Sequence, residues 1–222
     1  IYNDKLTYSA RLAGVLGFSI FATEKLYLFD NDMKINIKNL KIFLKKHKNK
    51  KILLFGFTYI IWKHFYQYMN SQKKKVKIPN SILIHGGGWK KLNDQKITNV
   101  LFKKKLNKVF GISEIYNYYG MVEQTGSIFL ECNRGYFHPS IFSDIIIRNK
   151  NTLEVNQVNK PGLIQTISLL PTSYPGHSLL TEDEGVMCGV DGCKCGIKGK
   201  FFKVMGRLKK SEIRGCSDTY EF

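Results

Sequence analysis

The sequence predicts an α/β fold, in which a β-α-β unit with a parallel sheet is followed by a β-rich C-terminal portion. An apolar run at 51–57, a helical pattern rich in aromatic residues and a second apolar run at 81–85 form the β-α-β unit. Residues 39–47 add an amphipathic helix, with apolar side chains on one face and lysines on the other. After Glu123, short strand-like runs alternate with Asn, Pro and Gly turns, a pattern typical of an antiparallel meander.

The other elements follow in chain order. The apolar stretch at 8–29 is predicted to pack into a core as a helix or strand and to end in a strand near 25–29. Thr58 is expected to cap the aromatic helix, whose apolar side we interpret as core, with the wall of an acyl pocket as the alternative. A helix at 95–109 and a strand at 112–119 come next. The strands predicted for the β-rich portion are 127–131, 144–148, 163–170 and 178–181.

The length and composition limit the class of protein. The 222 residues suffice for one large domain or a domain and a half, which we divide into residues 1–125 and 126–222. An apolar fraction of 43% supports a core, and no apolar run approaches the roughly 18 residues of a membrane helix. The chain starts with polar residues instead of a signal peptide, so we expect a cytoplasmic protein with reduced cysteines. Because it does not start with Met, we expect a piece of a longer protein.

The net charge is strongly positive, since 35 Lys and Arg against 17 Asp and Glu give +18. A charge of this size favours anionic partners. The alternative is a compositional bias toward Lys, Ile and Asn without a functional role. The lysine runs lie on predicted helix faces and loops and are not interleaved with aromatic residues, so nucleic acid is not the expected partner.

The stretch with the clearest chemistry is 118–124, in the middle of the chain. A predicted strand leads into it, and Gly120 allows a tight turn. The ring of Tyr119 can stack on a base, and Glu123 can hold a hard cation such as Mg²⁺ beside phosphates. This combination indicates a nucleotide pocket, with a strand end and a solvated glutamate as the alternative.

A second glycine-rich stretch, Gly86-Gly87-Gly88, follows the strand at 81–85. It lies at the carboxyl end of that strand, where ligands bind in open α/β sheets. Three glycines let a flat base approach the backbone, or they form a simple turn. His85 either helps to bind a carboxylate or acyl group or has its hydrogen bonds satisfied within the protein.

These stretches resemble a known family. Tyr119-Gly120-Met121-Val122-Glu123 is similar to the Tyr-Gly-x-Thr-Glu motif of adenylate-forming enzymes, the acyl- and aryl-CoA ligase superfamily. Within that superfamily the chain resembles the acyl-protein synthetases of the LuxE type, since four further segments fit them in the expected order: 84–90, 179–185, 206–209 and 214–217. The resemblance implies the large-domain part of an adenylate-forming enzyme, in which the phosphate loop and the small C-terminal domain are missing.

The resemblance also implies a reaction. A carboxylic acid, for the LuxE type a fatty acid, reacts with ATP and Mg²⁺ to give an acyl-adenylate, and the acyl group passes to a cysteine thiol as a thioester. The implied roles are Gly86, Gly87, Gly88, Tyr119 and Gly120 beside adenine, Asp183 on the ribose hydroxyls, Arg207 on ribose or the α-phosphate, Glu123 on Mg²⁺, Lys209 at the hinge and Cys216 as the acylated thiol.

Cys216 is the candidate nucleophile. Its cationic neighbours Lys209, Lys210 and Arg214 favour the thiolate, because positive charge lowers the pKa of a thiol. A thiolate can attack a bound acyl-adenylate and release AMP. An exposed thiol without function is the alternative.

Four residues are candidate ligands of a structural Zn²⁺. Cys132 and His138 fall on one predicted hairpin, and Cys193 and Cys195 fall in a glycine-rich turn, so two pairs of ligands can form a tetrahedral site. Cys188 is a substitute ligand. The phenylacetate-CoA ligase branch, which the chain also resembles, carries comparable Cys and His elements. Thiols that simply pack in tight turns are the alternative.

Two alternatives to an acyl-protein synthetase follow from the same residues. A phenylacetate-CoA-ligase-like enzyme would pass the acyl group to CoA instead of an acceptor protein or carrier protein. A non-catalytic remnant would bind an acidic partner, such as an acyl carrier protein, through the basic surface. The absence of a loop that could hold the ATP phosphates with backbone N–H groups favours the remnant.

Overall fold

The computed structural model describes residues 10–30, 32–72, 76–88 and 97–208. The chain forms two compact units, one with the described residues up to Ile115 and one that begins at Tyr116. The sequence pattern predicts the boundary after residue 125, ten residues later than the boundary after Ile115 in the structure. The mixture of helices, a parallel strand pair and antiparallel strands confirms the predicted α/β class.

The first unit contains the β-α-β arrangement. Its elements are α1 (Ala10–Ser19), α2 (Ile37–Lys46), β1 (Ile52–Phe57), α3 (Thr58–Ile60), a π-helical segment (Ile61–Gln67), α4 (Tyr68–Ser71), β2 (Ser81–Gly86) and α5 (Asn99–Phe110). The three helical segments after β1 follow one another without a break. Strands β1 and β2 pair in parallel, from Ile52 opposite Ser81 to Phe57 opposite Gly86. This pairing confirms the β-α-β prediction.

Side-chain caps explain where the two amphipathic helices begin. At the start of α2, Asn39 N donates a hydrogen bond of 3.0 Å to the side chain of Asn36. At the start of α5, Leu101 N donates to the Thr98 hydroxyl oxygen at 3.2 Å. Helix α5 ends at Gly111, whose φ of 75° is the left-handed conformation that glycine adopts at low cost.

The aromatic helix fills the core of its own unit. Phe65 stacks on Phe110 with a distance of 4.2 Å between the ring centroids, and Trp62 stacks on Tyr66 at 4.4 Å. The buried core residues are Leu40, Ile61, Trp62, Phe65, Tyr66, Met69, Val76, Ile78, Leu83, Phe102, Leu106, Phe110, Ile112 and Ile115. This packing supports the core interpretation of the aromatic stripe over the acyl-pocket wall.

Two local predictions for this unit are wrong. Thr58 does not cap the aromatic helix, because Phe57 is the N-cap and Thr58 is already helical. The Thr58 hydroxyl instead donates to the carbonyl oxygen of Gly86 at 2.9 Å. No strand forms at 25–29, where only Phe29 makes a β-bridge, to Ile35.

The second unit is an antiparallel sheet. Its strands are β3 (Glu114–Gly120), whose first two residues belong to the first unit, β4 (Ile128–Glu131), β5 (Phe137–His138), β6 (Ser143–Arg148), β7 (Pro161–Ser168), β8 (Ser178–Val190) and β9 (Lys200–Arg207). Their order is β3-β4-β5-β9-β8-β7-β6, and neighbours are antiparallel. The buried cluster of this sheet consists of Phe129, Phe137, Ile145, Ile147, Ile164, Met187 and Phe202.

The meander prediction is confirmed, but three strands differ from it. Strand β8 is much longer than the predicted 178–181, and β5 and β9 are not among the predicted strands. The strand pairing is shortest at β5. This strand makes two residue pairs with β4 and one with β9, Phe137 opposite Phe202. Among the described residues, no helix has the length and apolar character that crossing a bilayer requires.

Candidate functional site

The glycine stretch Gly86-Gly87-Gly88 lies at the carboxyl ends of the parallel strands β1 and β2. Gly87 and Gly88 have φ values of 83° and 70°, which side chains rarely tolerate. A Cβ atom on Gly87 would lie 2.8 Å from a ring carbon of Phe57, whereas a Cβ on Gly88 would meet no atom of the described residues within 4 Å. The described residues therefore leave room for a flat ligand beside Gly88.

His85, which precedes these glycines, is completely buried at 0% exposure. Its Nδ1 lies 2.9 Å from the Thr58 hydroxyl oxygen. Because that hydroxyl donates its hydrogen to Gly86 O, we assign the hydrogen on Nδ1 to this contact, with Thr58 as the acceptor. Burial, together with the charge of Lys103, lowers the pKa of His85 to about 3. The imidazole is therefore neutral, and its Nδ1 ties the end of β2 to the start of α3.

Three predicted nucleotide-binding residues come together in the second unit. The Tyr119 hydroxyl donates a hydrogen bond of 2.9 Å to Asp183 Oδ2. Asp183 lies opposite Arg207 in the β8–β9 register. The sequence pattern predicted Asp183 at a strand end, but the residue lies inside strand β8. Burial, and then the negative charge of Asp183, raise the pKa of Tyr119, so its hydroxyl keeps the hydrogen that it donates.

The ring of Tyr119 packs inside the sheet. Its centroid lies 5.9 Å from that of Phe129 and 6.3 Å from those of Phe137 and Phe202. The structure therefore directs the hydroxyl of Tyr119 toward Asp183, while the ring contacts the apolar cluster. On the neighbouring strand, the guanidinium of Arg207 pairs with Glu182 at 2.9 Å.

Glu123 lies in the exposed turn after β3, and the residue after it anchors that turn. Gln124 is only 2% exposed. Its amide Nε2 donates to Gly176 O at 2.6 Å and to Thr166 O at 3.3 Å. Its Oε1 accepts a hydrogen bond from the Ser127 hydroxyl. One buried side chain thus fixes the turn that presents the Glu123 carboxylate.

Further hydrogen bonds join the same turn to the loop after β7. The Ser168 hydroxyl donates to Thr125 O at 2.6 Å, and Thr125 N donates to the Tyr174 hydroxyl oxygen at 2.9 Å. Gly126 has a φ of 88°, and a Cβ there would lie 2.7 Å from Ser168 Oγ. This anchoring was not predicted, because a glutamine in a turn carries no local signal of partners that are 42 and 52 residues away.

The candidate zinc ligands form one cluster. The donor atoms of Cys132, His138, Cys193 and Cys195 all lie within 4.8 Å of one another. Cys188, the substitute ligand, packs beside the cluster but is not one of its four members. Lys209 and Cys216 lie outside the described residues.

Comparisons with known proteins identify relatives of the chain. A family model described as acyl-protein synthetase, LuxE, matches residues 3–221. No curated protein sequence matches the chain.

Among solved structures, a 2-hydroxyisobutyryl-CoA ligase in complex with 2-HIB-AMP and CoA is similar, with a TM-score of 0.60 and 15% identity over 78% of this chain and 36% of that one. The same ligase in the postadenylation state, in complex with 2-HIB-AMP, gives a TM-score of 0.59 and 15% identity over 77% and 35% of the two chains. For O-succinylbenzoate coenzyme A synthetase from Bacillus subtilis the values are 0.49 and 13% over 78% and 34%. The two ligase structures share the fold, and the chain spans little more than a third of their length.

Proposed function

Because the chain belongs to the LuxE family of acyl-protein synthetases, we propose that the protein carrying it activates a carboxylic acid with ATP and transfers the acyl group to a thiol. In the first step a carboxylate oxygen attacks the α-phosphorus of ATP, the bond to pyrophosphate breaks, and an acyl-adenylate forms. In the second step a thiolate attacks the acyl carbon, and AMP leaves with the electron pair of the broken bond. The family match over residues 3–221 is the observation that carries this proposal.

Asp183 is the proposed ribose ligand. A carboxylate offers about four lone-pair sites, so the one hydrogen bond from Tyr119 leaves sites for ribose hydroxyls. Tyr119 then acts as a positioning residue, because its hydroxyl fixes the Asp183 carboxylate from the interior of the sheet.

Arg207 is the proposed ligand of ribose or the α-phosphate. Its partner Glu182 has a side chain that is 58% exposed. Ion pairs at such exposed positions contribute about 0–1 kcal/mol, so a nucleotide oxygen can replace Glu182 at little cost.

Glu123 is the proposed Mg²⁺ ligand. Proteins usually bind Mg²⁺ through one or two carboxylates together with substrate phosphates. Glu123 is exposed, and Gln124 holds its turn in place from below. We propose that Gly86, Gly87 and Gly88 supply the backbone against which adenine lies, since they follow the carboxyl end of a parallel strand and no atom of the described residues fills the space beside Gly88.

A fatty acid is the proposed substrate and Cys216 the proposed acceptor, both on the resemblance to the LuxE type. Lys210 and Arg214 in the adjacent sequence favour the thiolate form of Cys216. A carrier protein or CoA would offer the same thiol chemistry, so the acceptor has to be distinguished by its product. Lys209 is proposed as the hinge residue.

The test is the intact mass of the protein after incubation with ATP, Mg²⁺ and carboxylic acids of increasing chain length. We expect a mass gain of one acyl group that hydroxylamine reverses. Cys216→Ser should abolish the gain, and the matched control Cys188→Ser should keep it. Pyrophosphate release without a mass gain would support acid activation but rule out Cys216 as the acceptor in favour of CoA or a carrier protein. No pyrophosphate release with any acid would refute acid activation.

A further inference from the structure

The four-residue cluster between two hairpins carries an inference that is independent of the proposed activity. We propose that Cys132, His138, Cys193 and Cys195 bind one Zn²⁺, which joins the turn after β4 to the loop between β8 and β9. Cys132 lies in the turn after β4 and His138 in strand β5, which follows that turn, whereas Cys193 and Cys195 lie in the loop between β8 and β9. All four belong to the second unit.

The distances between donor atoms fit a tetrahedral zinc site. Zinc–sulfur bonds of about 2.3 Å and zinc–nitrogen bonds of about 2.0–2.1 Å place two sulfurs about 3.8 Å apart and a sulfur and a nitrogen about 3.6 Å apart. The Sγ atoms of Cys132 and Cys193 are 3.9 Å apart. Cys195 Sγ lies 3.4 Å from His138 Nε2. A disulfide would need sulfurs about 2.05 Å apart, and these cysteines are all unbridged.

The two ligand turns share one local structure, Cys-x-x-Gly. Gly135 N donates to Cys132 O at 2.9 Å, and Gly196 N donates to Cys193 O at 3.1 Å. Both glycines have left-handed φ values, 76° and 89°. The same tight turn therefore presents a cysteine sulfur from each side of the cluster, as paired knuckles of zinc sites do.

Backbone N–H groups also point at the sulfurs. Arg134 N donates to Cys132 Sγ and Ile197 N donates to Cys195 Sγ, each at 3.4 Å. In each turn the donor lies two residues after the cysteine. Hydrogen bonds to an ionised acceptor are stronger than neutral ones, so these N–H groups offset the negative charge of thiolates gathered around a metal.

The surroundings of the cluster shield three of the four ligands from water, and Cys195 is partly buried. Cys132, His138 and Cys193 are buried, and Phe201 packs against them at 8% exposure. The His138 ring stacks on Phe201 at a centroid distance of 6.2 Å. His138 Nδ1 has no hydrogen-bond partner among the described residues, so this packing sets the direction in which Nε2 faces the sulfurs.

The position of the cluster explains what the metal does. Strand β5 is two residues long and makes a single residue pair with β9, Phe137 opposite Phe202. The metal would therefore join the two hairpins at the place where a single residue pair connects their strands. Four protein ligands leave no open coordination position, so the role is structural and not catalytic.

The experiment measures metal in the purified protein. We expect one zinc per chain, released when the thiols are modified. Reduced apoprotein should bind Co²⁺ with the intense visible bands of a tetrahedral site and with thiolate charge-transfer bands. Cys132→Ser and Cys195→Ser should lower the metal content to background, whereas Cys188→Ser, which alters a thiol beside the cluster, should keep it.

A second variant protects the test against simple misfolding. His138→Cys keeps four tetrahedral ligands, so it should retain the metal and shift the Co²⁺ spectrum toward that of four sulfurs. Wild-type protein that neither contains zinc nor binds Co²⁺ after reduction would overturn the proposal. Equal metal loss in Cys188→Ser and Cys132→Ser would overturn this choice of ligands.

Discussion

The burial of His85 predicts how strongly the stability of the protein depends on pH. The ring is buried and neutral, and its Nδ1 donates to Thr58. The substitution His85→Asn places an amide N–H near the position of Nδ1 and removes the titration. The variant should therefore keep the contact with Thr58 but lose the dependence of stability on pH that the imidazole causes.

The sign and magnitude come from the two pKa values of His85. The folded protein has a pKa of about 3, and an unfolded chain has about 6.5. As pH falls below 6.5, the unfolded chain takes up a proton that the folded protein excludes, so the free energy of unfolding decreases toward acid. Between pH 7 and pH 5 this difference amounts to about 2 kcal/mol. The stabilisation is complete above the unfolded pKa and is lost as pH falls toward the folded one.

The assay is urea unfolding at pH 7 and pH 5, followed by tryptophan fluorescence. Both tryptophans, at positions 62 and 89, precede the unit boundary at Ile115, so the signal reports the part of the chain that contains His85. The wild type should lose about 2 kcal/mol more than His85→Asn on going from pH 7 to pH 5. His177→Asn, a change at an exposed histidine, should behave like the wild type. Equal losses in wild type and His85→Asn would refute the buried, neutral assignment.

Two further predictions concern the second unit. Tyr119→Phe removes the hydroxyl that donates to the Asp183 carboxylate and should lower the free energy of unfolding by about 1.5–3 kcal/mol, the contribution of a hydrogen bond to a charged group. In pyrophosphate release it should raise the KM for ATP more than it lowers kcat, and an unchanged KM would contradict positioning of Asp183. Gln124→Leu leaves buried carbonyls without their donor and should cost about 1–3 kcal/mol. Gln124→Leu should also raise the Mg²⁺ concentration that gives half-maximal pyrophosphate release. Val122→Ala, in the same turn but 61% exposed, should leave that concentration unchanged. The same Mg²⁺ dependence in both variants would argue against the anchoring of Glu123 by Gln124.

The sequence predicted correctly those features whose pattern lies within a few neighbouring residues. Apolar runs of strand length on either side of a helical pattern are enough to predict β1, the aromatic helix and β2, because the period of the side chains reports each element. The cysteine pairs are similarly local, since Cys193 and Cys195 are close in sequence and Cys132 and His138 share one hairpin. Because a structural zinc site requires four ligands, the sequence also suggested that these two pairs form one site.

The sequence was a poor guide where long-range contacts decide the structure. Strand β8 continues through Glu182, Asp183 and Glu184, whose charges interrupt the apolar pattern, because pairing with β9 satisfies its backbone. Thr58 has the side chain of an N-cap, yet its hydroxyl bonds to Gly86 on the neighbouring strand. Neither partner can be seen in a window of a few residues.

The β8–β9 hairpin carries the proposed nucleotide and metal residues at opposite ends, which separates their roles. Asp183 lies opposite Arg207 at one end, and Cys193 and Cys195 lie in the loop at the other. Strand β9 has 8 residues from Lys200 to Arg207, and at about 3.3 Å per residue the two ends are roughly 23 Å apart. Solvent-exposed charges are largely screened beyond about 8–10 Å in physiological salt, and buried charges less so. At this separation we expect the charge of a metal at the cysteine cluster to have only a weak effect on a nucleotide at Asp183. An effect of zinc on acid activation is therefore expected mainly through the register of the strands that carry Asp183 and Arg207.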